Sequence, residues 1–138
     1  MKIKVLLVVP GRETEVKRIP GNLKFIKSFI GDELYSIRLN ENTMLIGNKN
    51  ARIDDFNRIY GENILLGSFI IVSNKNNHLV SLNKKEFRKY SNMFKFKKHQ
   101  KKVDKYKDEY LEEYYSSIRD LKRKNAEYNK YEVFGIAA

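Results

Sequence analysis

The sequence contains no cysteine among its 138 residues. Without cysteine the chain cannot form disulfide bonds, thiolate zinc sites or thiol nucleophiles. This absence agrees with a reducing compartment, so we expect a cytoplasmic protein.

Long apolar segments are also missing. The longest apolar run extends from Val5 to Pro10, far short of the roughly 20 residues that a membrane-spanning helix requires. The first ten residues are typical of a strand with two lysines, and they lack the pattern of a secretion signal. We therefore expect a soluble protein with no membrane partner.

Residues that support catalysis are few. Neither His78 nor His99 has a carboxylate or a nucleophile at an evident spacing, and the lysines around His99 would favour its neutral form. Asp54-Asp55 is more typical of a helix cap than of a metal site, and the chain has no glycine-rich phosphate loop or dinucleotide fingerprint. We predict a protein that is not an enzyme and that uses no metal or cofactor.

What the chain has in excess is positive charge, a net of +11. Residues 84–107 hold eleven basic and two acidic side chains, whereas residues 1–83 hold twelve and eight, and residues 108–138 hold five and seven. Such a basic stretch predicts contact with a polyanion such as nucleic acid. The alternative is an ordinary solvated surface, because the whole chain is rich in lysine and asparagine.

The basic stretch supplies the candidate nucleic-acid-binding residues. Phe96 lies off the apolar face of its helix and is a candidate for stacking on bases. The full set is Lys84, Lys85, Arg88, Lys89, Lys95, Phe96, Lys97, Lys98, Lys101, Lys102 and Lys105.

Apolar periodicity predicts an α+β fold with a small, mostly antiparallel sheet and one or two packed helices. The predicted strands cover residues 2–9, 15–18, 33–39, 44–46, 68–72 and 78–82. One helix is expected between a cap at Asn22 and Gly31, and a second begins with a capping box at Asn83 and Glu86. Residues 47–67, rich in Gly, Asn and Asp, are expected to form an irregular loop with one turn of helix.

Core packing is the expected role of Phe87, Tyr90 and Phe94, because helical spacing places them on one face. The compact α+β domain is predicted to cover residues 1–96, and residues 97–138 are predicted to form a basic, then tyrosine-rich, helical arm. The apolar stripe of that arm is predicted to contact the core domain, a second copy of the chain or a partner protein. The candidate protein-interaction residues are Tyr106, Tyr110, Tyr114, Ile118, Leu121 and Tyr128.

Several short motifs resemble a known family when they are taken in order. They are Val9-Pro10-Gly11 after the opening strand, the glycine after the first helix, Phe56-Asn57-Arg58-Ile59, residues 67–72, and Val80-Ser81-Leu82 leading to Tyr90 and Phe94. With this order and spacing, residues 1 to about 96 resemble the domain-of-unknown-function family 3846, carried mostly by phages, plasmids and other mobile elements. The resemblance implies an α+β accessory protein of a mobile element and brings no established chemistry.

Asn57 and Arg58 match a family-typical pair inside the predicted irregular loop. By the residues alone we expect a turn-forming asparagine and a solvent-facing arginine. A specific role of the pair in the family is the alternative.

The leading functional hypothesis is a non-enzymatic phage or mobile-element protein that inhibits a host defence system in the bacterial cytoplasm. It would be of anti-CRISPR type, with the basic arm bound to a nucleoprotein effector. The alternative is a DNA- or RNA-binding regulator or replication accessory of the element, and a third hypothesis is a sponge for cyclic nucleotides. A second copy of the chain, bound through the arm as a homodimer, is a further candidate partner.

Overall fold

The computed structural model of the protein describes residues 1–105. Helical residues 96–105 follow a break at Phe94 and Lys95 and are called α3. The other elements are β1 (Lys2–Val8), β2 (Glu15–Pro20), α1 (Leu23–Ile30), β3 (Leu34–Asn40), β4 (Thr43–Asn48), β5 (Phe56–Tyr60), β6 (Asn63–Leu66), β7 (Phe69–Lys75), β8 (His78–Val80) and α2 (Lys84–Met93).

Six strands form one sheet. Five of them follow the order β2-β1-β7-β4-β3, in which β1 pairs with the first half of β7, and the sixth strand, β8, pairs with the second half of β7. Every pairing in this sheet is antiparallel. In β7, Phe69 and Ile71 belong to one hydrophobic cluster, Ile70 and Val72 belong to the other, and all four are buried. The central strand is thus covered on both faces, which explains its continuous apolar sequence. The predicted α+β fold with a mostly antiparallel sheet is confirmed.

Different elements cover the two faces of the sheet. On one face, Tyr90 and Phe94 at the C-terminal end of α2 pack with Leu65 of β6 against the sheet. On the other face, Ile26 of α1 packs with Ile70 of β7. The domain therefore has three layers, with α2 and the β5-β6 hairpin on one side and α1 on the other.

Both predicted helix starts are confirmed. The Asn22 side chain accepts a hydrogen bond from the main-chain N–H of Phe25 at 2.8 Å, which caps α1. At α2, Asn83 and Glu86 form a reciprocal capping box with distances of 2.8 and 2.9 Å. Glu86 also accepts a 2.7 Å hydrogen bond from the hydroxyl of Thr43, so the cap ties α2 to β4.

The two predicted hairpins are also present. Strands β3 and β4 pair through a short turn after Asn40, and β7 and β8 pair so that Lys75 lies opposite His78. Between the latter two residues, Asn76 and Asn77 have φ angles of 52° and 63°. Asparagine tolerates positive φ better than most residues, and a two-residue turn of this kind matches the twist of the strands.

The prediction of an irregular loop with one helical turn over residues 47–67 is wrong. Strands β5 and β6 lie there and pair as a separate two-stranded hairpin, turning at Gly61, which has a φ of +61°. Their alternation is obscured because the register shifts between Phe56 and Arg58, and because two polar residues of β5, Asn57 and Arg58, are buried. A period-two pattern cannot indicate a strand whose polar side chains face inward.

Gly47 is expected to be intolerant of any side chain. It lies opposite Tyr35 across the β3-β4 pair, and a Cβ atom built there would be 2.5 Å from the phenol Cζ and hydroxyl oxygen of that buried ring. Gly47→Ala should lower the free energy of unfolding in urea by about 1–3 kcal/mol because it overpacks the core. In a Tyr35→Leu background the same change should cost less. Equal costs in both backgrounds would contradict the assignment.

Candidate nucleic-acid interface

The predicted basic residues lie on two adjacent helices and the link between them. Every lysine and arginine of the set is exposed, while Phe96 is half-buried. In α3, Lys98, Lys101 and Lys105 follow steps of three and four residues and therefore share a face. We call the ten cations together the basic surface: Lys84, Lys85, Arg88 and Lys89 on α2, Lys95 in the link, and Lys97, Lys98, Lys101, Lys102 and Lys105 on α3.

Little acidic charge offsets the basic surface. Residues 84–105 include only Glu86 and Asp104, and Glu86 is half-buried in the α2 cap against Thr43. Lys105 has a contact of its own, but the other nine cations make no ion pair or side-chain hydrogen bond within residues 1–105. Within the described part of the chain, no acidic side chain is paired with these nine charges.

The place of this surface on the domain depends on the pair Asn57 and Arg58. The side-chain amide of Asn57 donates to the carbonyl of Val8 at 2.9 Å and to that of Gly67 at 2.7 Å. Its Oδ1 accepts from Nη1 of Arg58 at 2.8 Å. Asn57 therefore joins β5 to β1 and to the link between β6 and β7, and at the same time orients the arginine.

The Arg58 guanidinium binds main-chain carbonyls from three parts of the chain. Nε donates to the carbonyl of Phe94 at 2.8 Å, Nη1 also donates to that of Asn57 at 3.3 Å, and Nη2 donates to that of Arg12. Burial lowers the pKa of Arg58, and the nearby charge of Glu13 opposes that shift. No carboxylate of residues 1–105 lies within salt-bridge distance of the guanidinium. The charge is thus held mainly by carbonyl dipoles.

The expectation of a turn-forming Asn57 and a solvent-facing Arg58 is therefore wrong. The two residues are 4% and 0% exposed. Both face inward, where their side chains donate to main-chain carbonyls of other segments, and a buried carbonyl without a donor is costly. Their position between the apolar residues Phe56 and Ile59 was the available signal for a strand.

Phe96 and Glu13 connect the start of α3 to the junction that Arg58 forms with its three carbonyl partners. The guanidinium carbon of Arg58 lies 5.4 Å from the centroid of the Phe96 ring, within the range of a cation–π contact. The main-chain N–H of Phe96 donates to Oε1 of Glu13 at 2.8 Å. Base stacking by Phe96 stays a prediction, and it would have to use the part of the ring that Arg58 leaves open.

Phe96 also lines a cavity of about 350 Å³ together with the carboxylates of Asp54, Asp55 and Asp104. Asp54 pairs with Arg52 at 2.9 Å. The helix cap expected at Asp54-Asp55 is not formed, because the element that follows these residues is the strand β5. Within residues 1–105 no three histidine or acidic side chains are grouped as metal ligands would be. Three carboxylates make this side of α3 less favourable for phosphate than the lysine face.

His99 is buried, 7% exposed, with both ring nitrogens in use. Nδ1 accepts a hydrogen bond from the main-chain N–H of Ile59 at 3.2 Å, so Nε2 carries the proton and donates to the carbonyl of Met93 at 2.7 Å. Burial lowers its pKa below 6.5, the hydrogen bond to Met93 opposes this, and the charges of Arg58, Lys98 and Lys102 lower it further. The expected preference for the neutral form is confirmed, although burial is its main cause.

His99 lies beyond residue 96, the predicted end of the compact domain, yet it is buried against β5 and the end of α2. The first turn of α3 is therefore packed on the domain.

The candidate protein-interaction residues from Tyr106 to Tyr128 lie outside the described residues. Within residues 1–105, none of the helices is both long enough and apolar enough to cross a membrane.

These observations define a class of protein, an α+β domain with an antiparallel sheet that presents a basic helical surface. The chain belongs to the family described as Domain of unknown function (DUF3846), whose model matches residues 1–95. This confirms the resemblance inferred from the order of the motifs. Neither the curated proteins nor the solved structures gave a match. The five lysines of the basic surface on α3 all lie beyond the family match.

Arg58→Met should destabilise the domain strongly. Methionine has a similar length but no donors, so the carbonyls of Phe94 and Arg12 would lose their partner, and each buried acceptor left unpaired costs about 1–3 kcal/mol. We expect the free energy of unfolding in urea to fall by about 3 kcal/mol or more. The matched control is Arg52→Met, whose side chain is 81% exposed, with an expected change of about 0.5 kcal/mol or less. Equal stabilities of the two variants would refute the role of Arg58.

The burial of neutral His99 predicts a loss of stability in mild acid. Because its folded pKa is lowered, the unfolded chain takes up a proton first as the pH falls below 6.5. The contribution of His99 is complete above that pH and decreases until its lower folded pKa is reached.

Urea unfolding at several pH values between neutrality and about pH 5 checks this dependence, a range that lies above most ordinary carboxylate pKa values. His99→Gln should flatten the dependence, and each unit of pKa difference removed corresponds to about 1.4 kcal/mol. His78→Gln, at the exposed second histidine, should leave it unchanged. If His99→Gln retained the full dependence on pH, another group would be responsible.

Proposed function

We propose that this chain is a non-enzymatic binding protein that contacts the phosphate backbone of nucleic acid through its basic surface. The observation that carries the proposal is the density of exposed cations. Ten lie within residues 84–105, with only Glu86 and Asp104 to offset them. If the basic stretch were only an ordinary solvated surface of a lysine-rich protein, a similar ratio of basic to acidic side chains would be expected over the whole chain. Residues 1–83 instead hold twelve basic and eight acidic side chains.

The arrangement of the cations favours backbone contact over recognition of bases. Lysines bind phosphates as point charges and release the counterions condensed on nucleic acid, which gives affinity without sequence preference. Because α2 is capped and its Tyr90 is fully buried, and because His99 packs α3 on the domain, the cations of both helices share one scaffold. Less side-chain and backbone entropy is then lost on binding.

For the biological setting we propose inhibition of a host defence nucleoprotein in the bacterial cytoplasm, of anti-CRISPR type. The support is indirect. The family resemblance supplies a mobile-element context, and the tyrosine-rich residues beyond the basic surface suit contact with protein. A target that combines nucleic acid and protein would engage both halves of the predicted arm.

A DNA- or RNA-binding regulator or replication accessory of the mobile element is the second candidate. It would use the same basic surface on free nucleic acid and would need no protein partner. Binding to free nucleic acid that weakens steeply with salt favours this candidate, whereas binding only to an assembled effector complex favours the defence inhibitor. A cyclic-nucleotide sponge is the third candidate, and calorimetry with cyclic nucleotides tests it.

Neutralising the α3 lysines should weaken binding and reduce its dependence on salt. The variant replaces Lys97, Lys98, Lys101 and Lys102 with glutamine, and fluorescence anisotropy with a labelled duplex across a salt series measures the effect. The slope of log affinity against log salt should fall by about 0.9 for each phosphate that the variant no longer neutralises.

The matched control for this variant has the same net charge. It replaces four exposed lysines outside the basic surface with glutamine, at Lys2, Lys17, Lys24 and Lys75, and it should change the slope much less. Equal decreases in affinity in the two variants would show that only net charge matters. Absence of binding by the wild-type protein to both free nucleic acid and a defence complex would refute the proposal.

A further inference from the structure

A concave patch lies between the β1-β2 loop and the outer face of α2. It encloses about 340 Å³ and is lined by Glu13, Thr14, Arg88, Ser91, Asn92 and Lys95. Arg88, Ser91 and Asn92 follow helical spacing on α2, and Lys95 in the link after this helix completes the same side of the patch. Glu13 and Thr14 form the opposite wall.

Most of the polar groups around this patch are hydrogen-bond donors that have no partner among residues 1–105. The side chains of Thr14, Arg88, Ser91, Asn92 and Lys95 make no hydrogen bond or ion pair within residues 1–105. By contrast, Asn83 and Glu86 at the other end of α2 are engaged in the capping box. Arginine and lysine next to hydroxyl and amide donors are the groups that bind phosphate oxygens in proteins.

Glu13 is the single acidic residue among the described lining residues, and one of its carboxylate oxygens is engaged at the start of α3. Oε1 accepts the hydrogen bond from the main-chain N–H of Phe96, and its charge acts on the buried Arg58. Two cations therefore face the patch against one carboxylate that is already engaged. This balance favours an anion in the patch.

Both walls are fixed before any ligand arrives. The carbonyl of Arg12 accepts a hydrogen bond from Arg58, and Glu13 is bound to the start of α3. The β1-β2 loop is therefore anchored at the two residues directly before Thr14. The α2 wall is anchored by Tyr90, which is fully buried. A backbone that is held in place before binding loses less entropy when the ligand binds.

We propose that this patch is a phosphate-binding subsite for a phosphodiester or a nucleotide phosphate, with Arg88 and Lys95 as the charged clamp. Thr14, Ser91 and Asn92 supply neutral donors. The inference rests on the proposed function and deepens it, because it assigns one phosphate of the bound chain to a defined position. The same phosphate chemistry could come from a nucleic-acid backbone or from a free nucleotide.

The test compares two double variants that remove equal charge from α2 and the link directly after it. Arg88→Gln with Lys95→Gln alters the patch, whereas Lys84→Gln with Lys85→Gln alters the far end of α2. All four side chains are exposed, so both variants should keep the fold, which circular dichroism checks. Affinity for a labelled oligonucleotide should fall about tenfold or more further in the patch variant, because charge-assisted hydrogen bonds are removed together with charge.

A second measurement locates the ligand and identifies its source. In amide NMR spectra of the full chain, the oligonucleotide, inorganic phosphate and a nucleoside monophosphate should each shift the signals of Thr14, Ser91 and Asn92, and the patch variant should abolish these shifts. Oligonucleotide binding with equal decreases in affinity in the two double variants would overturn the subsite and leave the proposed function standing. Shifts with the monophosphate but no binding of oligonucleotide would support the subsite for a free nucleotide and count against the proposed function.

Discussion

The buried guanidinium of Arg58 is the interaction on which the arrangement of this domain depends. A charge that is removed from water needs other polar groups in place of its water molecules. Here those groups are Oδ1 of Asn57 and the main-chain carbonyls of Arg12, Asn57 and Phe94. Those carbonyls belong to the β1-β2 loop, to β5 and to the end of α2. None of the three segments can move without leaving either a buried cation or a buried carbonyl unpaired, so the junction fixes all three with respect to one another.

The same junction explains how α3 begins. The Phe96 ring contacts the guanidinium, and the main-chain N–H of Phe96 donates a hydrogen bond to Glu13. One turn later, His99 is hydrogen-bonded to the N–H of Ile59 and to the carbonyl of Met93. Burying an imidazole among cations favours its neutral form, and only the neutral ring can accept from Ile59 while it donates to Met93. The lysines of α3 therefore project from a segment that is packed on the domain through its first turn.

The parts of the fold that could be predicted are those in which the deciding contacts are local. The caps at Asn22 and Asn83 act over three residues, and the turn at Asn76-Asn77 depends on its own backbone angles. The parts that could not be predicted depend on distant partners. Asn57 binds a carbonyl 49 residues away, and Arg58 binds carbonyls 36 and 46 residues away. No periodicity within residues 47–67 contains that information. The exposed lysines were predictable because side chains of this kind rarely lie in the core, but their common scaffold was not.

The boundary of the family match divides the candidate interface into two parts. All the residues of the proposed phosphate subsite lie within residues 1–95, and so do the four cations of α2. The five lysines of α3 lie beyond it. Yet Arg58, inside the match, holds both the Phe94 carbonyl before the boundary and the Phe96 ring after it. The family domain thus sets the direction in which the following segment leaves. A phosphate bound beside α2 and a backbone that follows the α3 lysines would then have a fixed relation to each other, because one buried arginine positions both helices.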